Sequence, residues 1–217
     1  MATFAFNTIE AHPSQRALFV GGMFDIAGEL TGRGLVLTVV DYTSEMVEIG
    51  QQRLPEIDVA RADLRDLPFD REFDLIFVIG RVFTHMLNDF DLTRAIRGCF
   101  RALKPGGRLL ADNYESSRIE VTNYFNGVLE YENAGAAIVR RSSTRRISES
   151  PRIVRWDAEY SGRFGSEPFR FQDSMEHRAF ERAEFAEHLR LADFDVIAQG
   201  DNFDETSFYT VAARKRE

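Results

Sequence analysis

Residues 17–53 read ALFVGGMFDIAGELTGRGLVLTVVDYTSEMVEIGQQR. A short apolar run, Leu18-Phe19-Val20, breaks into the paired glycines Gly21 and Gly22. A helical segment follows to about Thr31, punctuated by Gly32 and Gly34, and a second apolar run from Leu35 to Val40 ends in Asp41. Strand, glycine turn, helix, strand and an acid at the strand tip make the half-site of a nucleotide-binding α/β fold. The helix start offers unpaired N–H groups to an anionic group. Asp41, nineteen residues after Gly22, is placed to accept hydrogen bonds from both hydroxyls of a ribose. Its plainer role is to cap the helix that begins beside it.

Downstream, Thr43 or Ser44 caps a helix running to about Arg53, with Glu45 and Glu48 near its positive end and Pro55 as its stop. Ile57 to Ala60 reads as a short strand with Asp63-Leu64 at its tip. Phe73 to Ile79 is an unbroken apolar run, short enough for a strand buried on both faces. It ends in the loop Gly80-Arg81-Val82-Phe83-Thr84-His85, at the strand end where open α/β sheets bind ligands. Asp89 or Asp91 starts a helix to about Leu103, with Leu92, Ile96, Cys99, Phe100 and Leu103 as one apolar stripe. Lys104-Pro105-Gly106-Gly107 turns the chain into a fifth strand, Arg108 to Ala111.

From about Ala136 the period shortens, and three antiparallel strands are expected up to about residue 178, broken at Ser150-Pro151 and at residues 165–168. A helix from Arg182 to Leu191 and strands over Phe194–Ala198 and Ser207–Ala213 complete the chain. Residues 1–16 leave room for a short arm with one helical turn, so residues 1–217 are expected to form one domain.

The segments VDYTSEMVEIGQQR, ADLRDLPF at 62–69, FDLIFVIG at 73–80 and LKPGGRLLADN at 103–113 occur in that order. Together they resemble a class I S-adenosylmethionine (SAM)-dependent methyltransferase over nearly the whole chain. The resemblance implies a Rossmann-like α/β fold, a seven-stranded sheet with the last strand antiparallel, and a three-stranded meander inserted after strand five. The meander is similar to that of amino-sugar and glycine-type N-methyltransferases. It implies SAM as cofactor, a small-molecule acceptor with an amine favoured over a hydroxyl, and a cofactor site built from Gly21, Gly22, Asp41, Tyr42, Asp63, Leu64 and Gly80. Asp63 and Leu64 would meet the adenine.

The cofactor carries the reactive group, so the protein must position a nucleophile and accept a proton. His85 is the candidate base, its ordinary pKa near ~6.5 suiting neutral pH; the plainer role is to cap the next helix. Tyr114 and His177 are acceptor-side candidates. The family's first loop has an acid and three glycines. Here an ungapped register puts Leu18 at the acid and Val20, Gly22 and Phe24 at the glycines. With one residue deleted the set is Phe19, Gly21, Met23 and Asp25. Met23 or Phe24 is therefore expected to crowd the methionine moiety. That leaves a second reading open, a methyltransferase-like binding or partner protein without catalysis.

Composition narrows the rest. With 44% apolar residues in 217, the chain can bury a full core without staples. A net charge of −8 leaves no basic footprint for nucleic acid. One cysteine and four scattered histidines offer neither an internal disulfide nor metal-ligand spacing, and point to a reduced, cytoplasmic setting. No run approaches the ~18 apolar residues of a membrane span. Lys104 and Lys215 are the only lysines, which leaves phosphate-loop and Schiff-base chemistry poorly provided. A nicotinamide dehydrogenase would need glycines two and five residues apart at the first turn, and these are missing. Exposed meander edges allow a homodimer.

Overall fold

The computed structural model describes residues 1–119, 125–133, 135–201 and 204–216. After helix α1 (Ala2–Thr8), strand and helix alternate: β1 (Arg16–Val20), α2 (Phe24–Gly32), β2 (Val36–Asp41), α3 (Ser44–Arg53), β3 (Asp58–Arg61), β4 (Phe73–Val78), α4 (Asp89–Ala102) and β5 (Leu103–Tyr114). Four antiparallel strands follow, β6 (Gly127–Asn133), β7 (Ala136–Glu149), β8 (Arg152–Phe164) and β9 (Glu167–Arg178). Helix α5 (Arg182–Leu191) leads into β10 (Phe194–Asp201) and β11 (Ser207–Arg214).

The main sheet has seven strands in the order β10-β11-β5-β4-β1-β2-β3. The neighbours from β3 to β5 are parallel, and β11 slots antiparallel between β5 and β10. This is the class I methyltransferase fold, as the sequence led us to expect. Strands β1 and β4 are central and covered on both faces, which is why they read as continuous apolar runs. Leu18, Val20, Ile76 and Val78 face one core with α4 and α5; Phe19, Leu75 and Phe77 face the other with α1 and α2.

The helices begin where the chain supplies caps. Thr43 Oγ1 accepts from the Met46 N–H, and Asn88 Oδ1 accepts from the Asp91 N–H at 2.8 Å. Asn88, one residue before the expected acids, is thus the cap of α4. Its buried face is Leu92, Ala95, Ile96, Cys99 and Ala102, with Phe100 only partly buried against it.

Three expectations need correction. The insertion has four strands, because β6 pairs antiparallel with β7 ahead of the predicted set. Every residue of β6 is exposed, so burial imposed no apolar alternation on it. Helix α1 is seven residues long rather than one turn, and Ala2 and Ala5 bury against the sheet's helical layer. The fifth strand is longer than predicted: pairing with β4 starts at Phe73↔Leu103 and resumes at Leu75↔Arg108, so the glycine turn becomes a bulge.

The inserted sheet is spliced to the main one. Phe180 donates its N–H to the Tyr114 carbonyl at 2.9 Å, and Ser116 donates to the Phe180 carbonyl at 3.0 Å. Arg178, 2% exposed, reaches Asp89 and Glu184 at 2.7 Å each, tying the end of β9 to α4 and α5. β6 and β9 are the open edges of the inserted sheet.

Candidate active site

The carboxyl ends of β1, β2 and β4 enclose a cavity of about 650 Å³, within the usual range for small-molecule sites. Gly21, Gly22, Asp41 and Tyr42 line it. Asp63, Leu64, Gly80 and His85 line it as well. All the residues expected to hold the cofactor therefore meet in one place, with the candidate base. A separate open groove of about 430 Å³ lies on the inserted sheet. Of its charged groups, Arg155 pairs with Asp157, and Glu159 with the neighbouring Arg170.

Gly21 sits at φ +110°, a conformation that β-carbon-bearing residues rarely adopt, so the bend after β1 requires glycine there. At Gly22 a Cβ would lie 2.3 Å from Met46 Cε, and Asp41 Oδ2 would be 3.6 Å from it. The bend thus passes directly under the acid of β2. Asp41 divides its labour. Oδ1 accepts from the Thr43 N–H at 2.9 Å and from Thr43 Oγ1 at 3.1 Å, which fixes the start of α3. Oδ2 carries neither of these bonds and faces the bend.

The two bulky residues of the bend part company. Met23 lines the cavity and lies against Gly80. Phe24, 2% exposed, turns into the core, where its ring fills the notch over Gly50 beside Val59. The expectation that Phe24 crowds the cavity is therefore corrected. Residue 24 is the first of α2 and faces α3.

Asp63 holds a fork that the sequence reading missed. Its Oδ1 accepts from the Arg65 N–H and Nε at 2.9 Å each, and Oδ2 from Nη2 at 2.6 Å. These hydrogen bonds hold the Asp63 carboxyl below the usual carboxylate range and raise the Arg65 pKa in turn. Arg65 also lies 5.9 Å from the Tyr42 ring centroid.

At the other end, the backbone after β4 is clamped by Asp112 on β5. Its Oδ1 accepts from Gly80 N–H at 2.9 Å and Arg81 N–H at 2.8 Å, with Arg81 at φ +63°. The Arg81 side chain pairs with Asp204 and lies 5.2 Å over the Tyr114 ring. Neither residue declares itself by motif; only the strand order brings Asp112 beside Gly80.

His85 opens onto the cavity, while its packed side is desolvated enough to lower its pKa below 6.5. Behind it stands His177, ring centroids 5.4 Å apart, and Tyr114 meets His177 edge-on at 5.3 Å. Thr84 Oγ1 donates to the Arg81 carbonyl at 2.6 Å and lies 3.4 Å from His177 Nδ1. Burial, with the charges of His85 and Arg81, pushes the His177 pKa down to about 4. His177 and Tyr114 are 7% and 8% exposed. They back His85 rather than line the cavity.

Among the described residues no group of histidines, cysteines and carboxylates could hold a metal ion, and no helix is long and apolar enough to cross a membrane.

Comparison with known proteins agrees with this architecture. A family model described as a methyltransferase domain matches residues 22–107. The ubiquinone/menaquinone biosynthesis C-methyltransferase UbiE of Geotalea daltonii is 31% identical over 126 residues, 53% of this chain and 52% of that protein. The chain thus spans about half the length of this curated relative. The putative methyltransferase YqeM of Bacillus subtilis is 23% identical over 85% of this chain and 75% of its own. Among solved structures, CalS10, an amino pentose methyltransferase from Micromonospora echinaspora, superposes with a TM-score of 0.83 at 19% identity, covering 99% of this chain and 90% of that one. The sugar N-methyltransferase KedS8 from Streptoalloteichus gives 0.81 at 19% identity, covering 100% and 87%. Residues 22–107 match the methyltransferase-domain model, and the chain as a whole has the class I methyltransferase fold.

Proposed function

We propose that this protein is a SAM-dependent methyltransferase acting on a small-molecule acceptor, an amine in preference to a hydroxyl. One observation carries the reading. Asp41 Oδ2 lies at the glycine bend of the cavity, outside the bonds to Thr43, and His85, whose pKa burial lowers, opens into the same space. The adenosyl part of the cofactor fits this donor set. Asp41 would hold the sugar hydroxyls, Leu64 would pack the adenine, and Asp63, fixed by Arg65, would accept from its amine. When bound, the cofactor supplies an electrophilic methyl group on sulfur.

His85, uncharged at neutral pH, accepts the proton that the attacking amine or hydroxyl gives up. His177 stands behind its ring, and the Asp112 clamp fixes the loop that presents it. The preference for an amine rests on the antiparallel insertion after β5 and on likeness to the folds of an amino pentose methyltransferase and a sugar N-methyltransferase.

Thermal denaturation with S-adenosylhomocysteine tests the cofactor assignment. At a hundredfold excess over Kd, binding adds about 2.7 kcal/mol, a rise of roughly 5–10 °C for a chain of this size. Methyl incorporation from labelled SAM across a panel of amino sugars and phenols tests the acceptor class. Met23 in the bend favours the rival reading, a binding protein without transfer; it predicts the thermal shift without incorporation into either panel. The absence of any thermal shift would refute the cofactor assignment.

A further inference from the structure

We propose that this cavity binds 5′-deoxy-5′-methylthioadenosine, an adenosyl thioether with no amino-acid tail, about as tightly as S-adenosylhomocysteine. The inference rests on the adenosyl reading of the cavity and adds to it a statement about the cavity's other end.

The two compounds share the nucleoside and the thioether sulfur. They differ in the tail, a methyl group in one and a zwitterionic amino acid in the other. Among the described residues lining the cavity, Asp41 and Asp63 are the only carboxylates, and both serve the adenosyl side. Around the bend, where Gly21 abuts Val82 and Gly80 abuts Met23, the lining is Met23, Ile79, Val82 and glycine backbone, with His85 and Met86 following on the same loop. Ile79 is 2% exposed. The acid next along the chain, Asp25, has a side chain 82% exposed and paired with Arg53 on α3. The cation beside Gly80, Arg81, is paired with Asp204 and 3.3 Å from Ser207 Oγ.

An ammonium group entering here loses water and finds no further carboxylate among the described lining residues. The start of α2 offers N–H groups to the tail's carboxylate, but Asp25 in its first turn opposes them. A methylthio group has no charge to desolvate, and it finds thioether and aliphatic surface. The tail therefore adds little to affinity, and the nucleoside thioether becomes a competitive ligand of the same pocket.

Isothermal titration of the full chain with each compound separately is the test. The expected dissociation constants lie within about tenfold of one another. Methylthioadenosine weaker by more than that overturns the inference while leaving the adenosyl site intact. Asp41→Asn should weaken both compounds by the same factor, because both present the same sugar. A loss confined to S-adenosylhomocysteine would place the other ligand elsewhere and also overturn it. If neither compound binds, the adenosyl reading itself fails and this inference falls with it.

Discussion

Asp41→Asn separates the two tasks of one carboxylate. In the native chain Oδ1 is committed to the Thr43 N–H and hydroxyl, and Oδ2 faces the glycine bend. An asparagine retains a carbonyl oxygen for Thr43 and replaces Oδ2 with an NH₂ that cannot accept from a sugar hydroxyl. The start of α3 should survive, with a melting temperature within a few degrees of the parent. Affinity should not. A hydrogen bond to a charged acceptor is worth about 1.5–3 kcal/mol, which converts to a loss of roughly tenfold to a hundredfold. Calorimetric titration of S-adenosylhomocysteine reads that factor, and a melt of the unliganded variant reads the fold. An affinity loss under about threefold with the fold intact would refute the assignment of Oδ2 to the ribose. Asp41→Ala is less informative because it also removes the Oδ1 bonds that brace the helix cap.

Three further outcomes follow from the same geometry. Burial lowers the His85 pKa, so the rate of methyl transfer should show an acid limb with its midpoint below 6.5; His85→Gln should lower kcat about a hundredfold or more and remove that limb, and a limb that persists would assign the base elsewhere. His177 has a folded pKa of about 4 against 6.5 when free, so between these values the unfolded chain binds more protons and stability rises with pH. That gap is worth on the order of 3 kcal/mol, lost as pH falls from 6.5 toward 4; urea midpoints for His177→Gln should be flatter across that window, and an unchanged slope would refute the shift. Gly50→Ala would set a Cβ 2.7 Å from the Phe24 ring and 2.9 Å from Val59 Cγ1. Overpacking of this kind costs about 1–3 kcal/mol, so the melting temperature should drop by several degrees, and no drop would show that the ring has room to move.

The parts of this protein that could be read from its residues are those where burial imposes a pattern. β1 and β4 are enclosed on both faces, and nothing but an apolar run survives there. Asp41 was legible because a strand tip beside a glycine bend is a place fixed by topology. β6 was not, because an edge strand exposed along its length needs only a partner, and its register comes from β7. Phe24 was misread because spacing alone cannot say which way a side chain leaves a bend; the empty flank of Gly50 decides it. Arg65 and Asp112 act through contacts made when the 3-10 turn after β3 and the β4–β5 pairing form, neither of which leaves a local signature.

The main-chain splice at Phe180 has a bearing on how such a protein can change over generations. His177 stands three residues before a peptide group locked to the tip of β5, so its seat is set by the central sheet rather than by the far end of the long hairpins. The distal turn around Gly165 can be lengthened, shortened or recoloured with new side chains while that imidazole keeps its post. A lineage built on this plan can explore new neighbours at its periphery without retraining its chemistry.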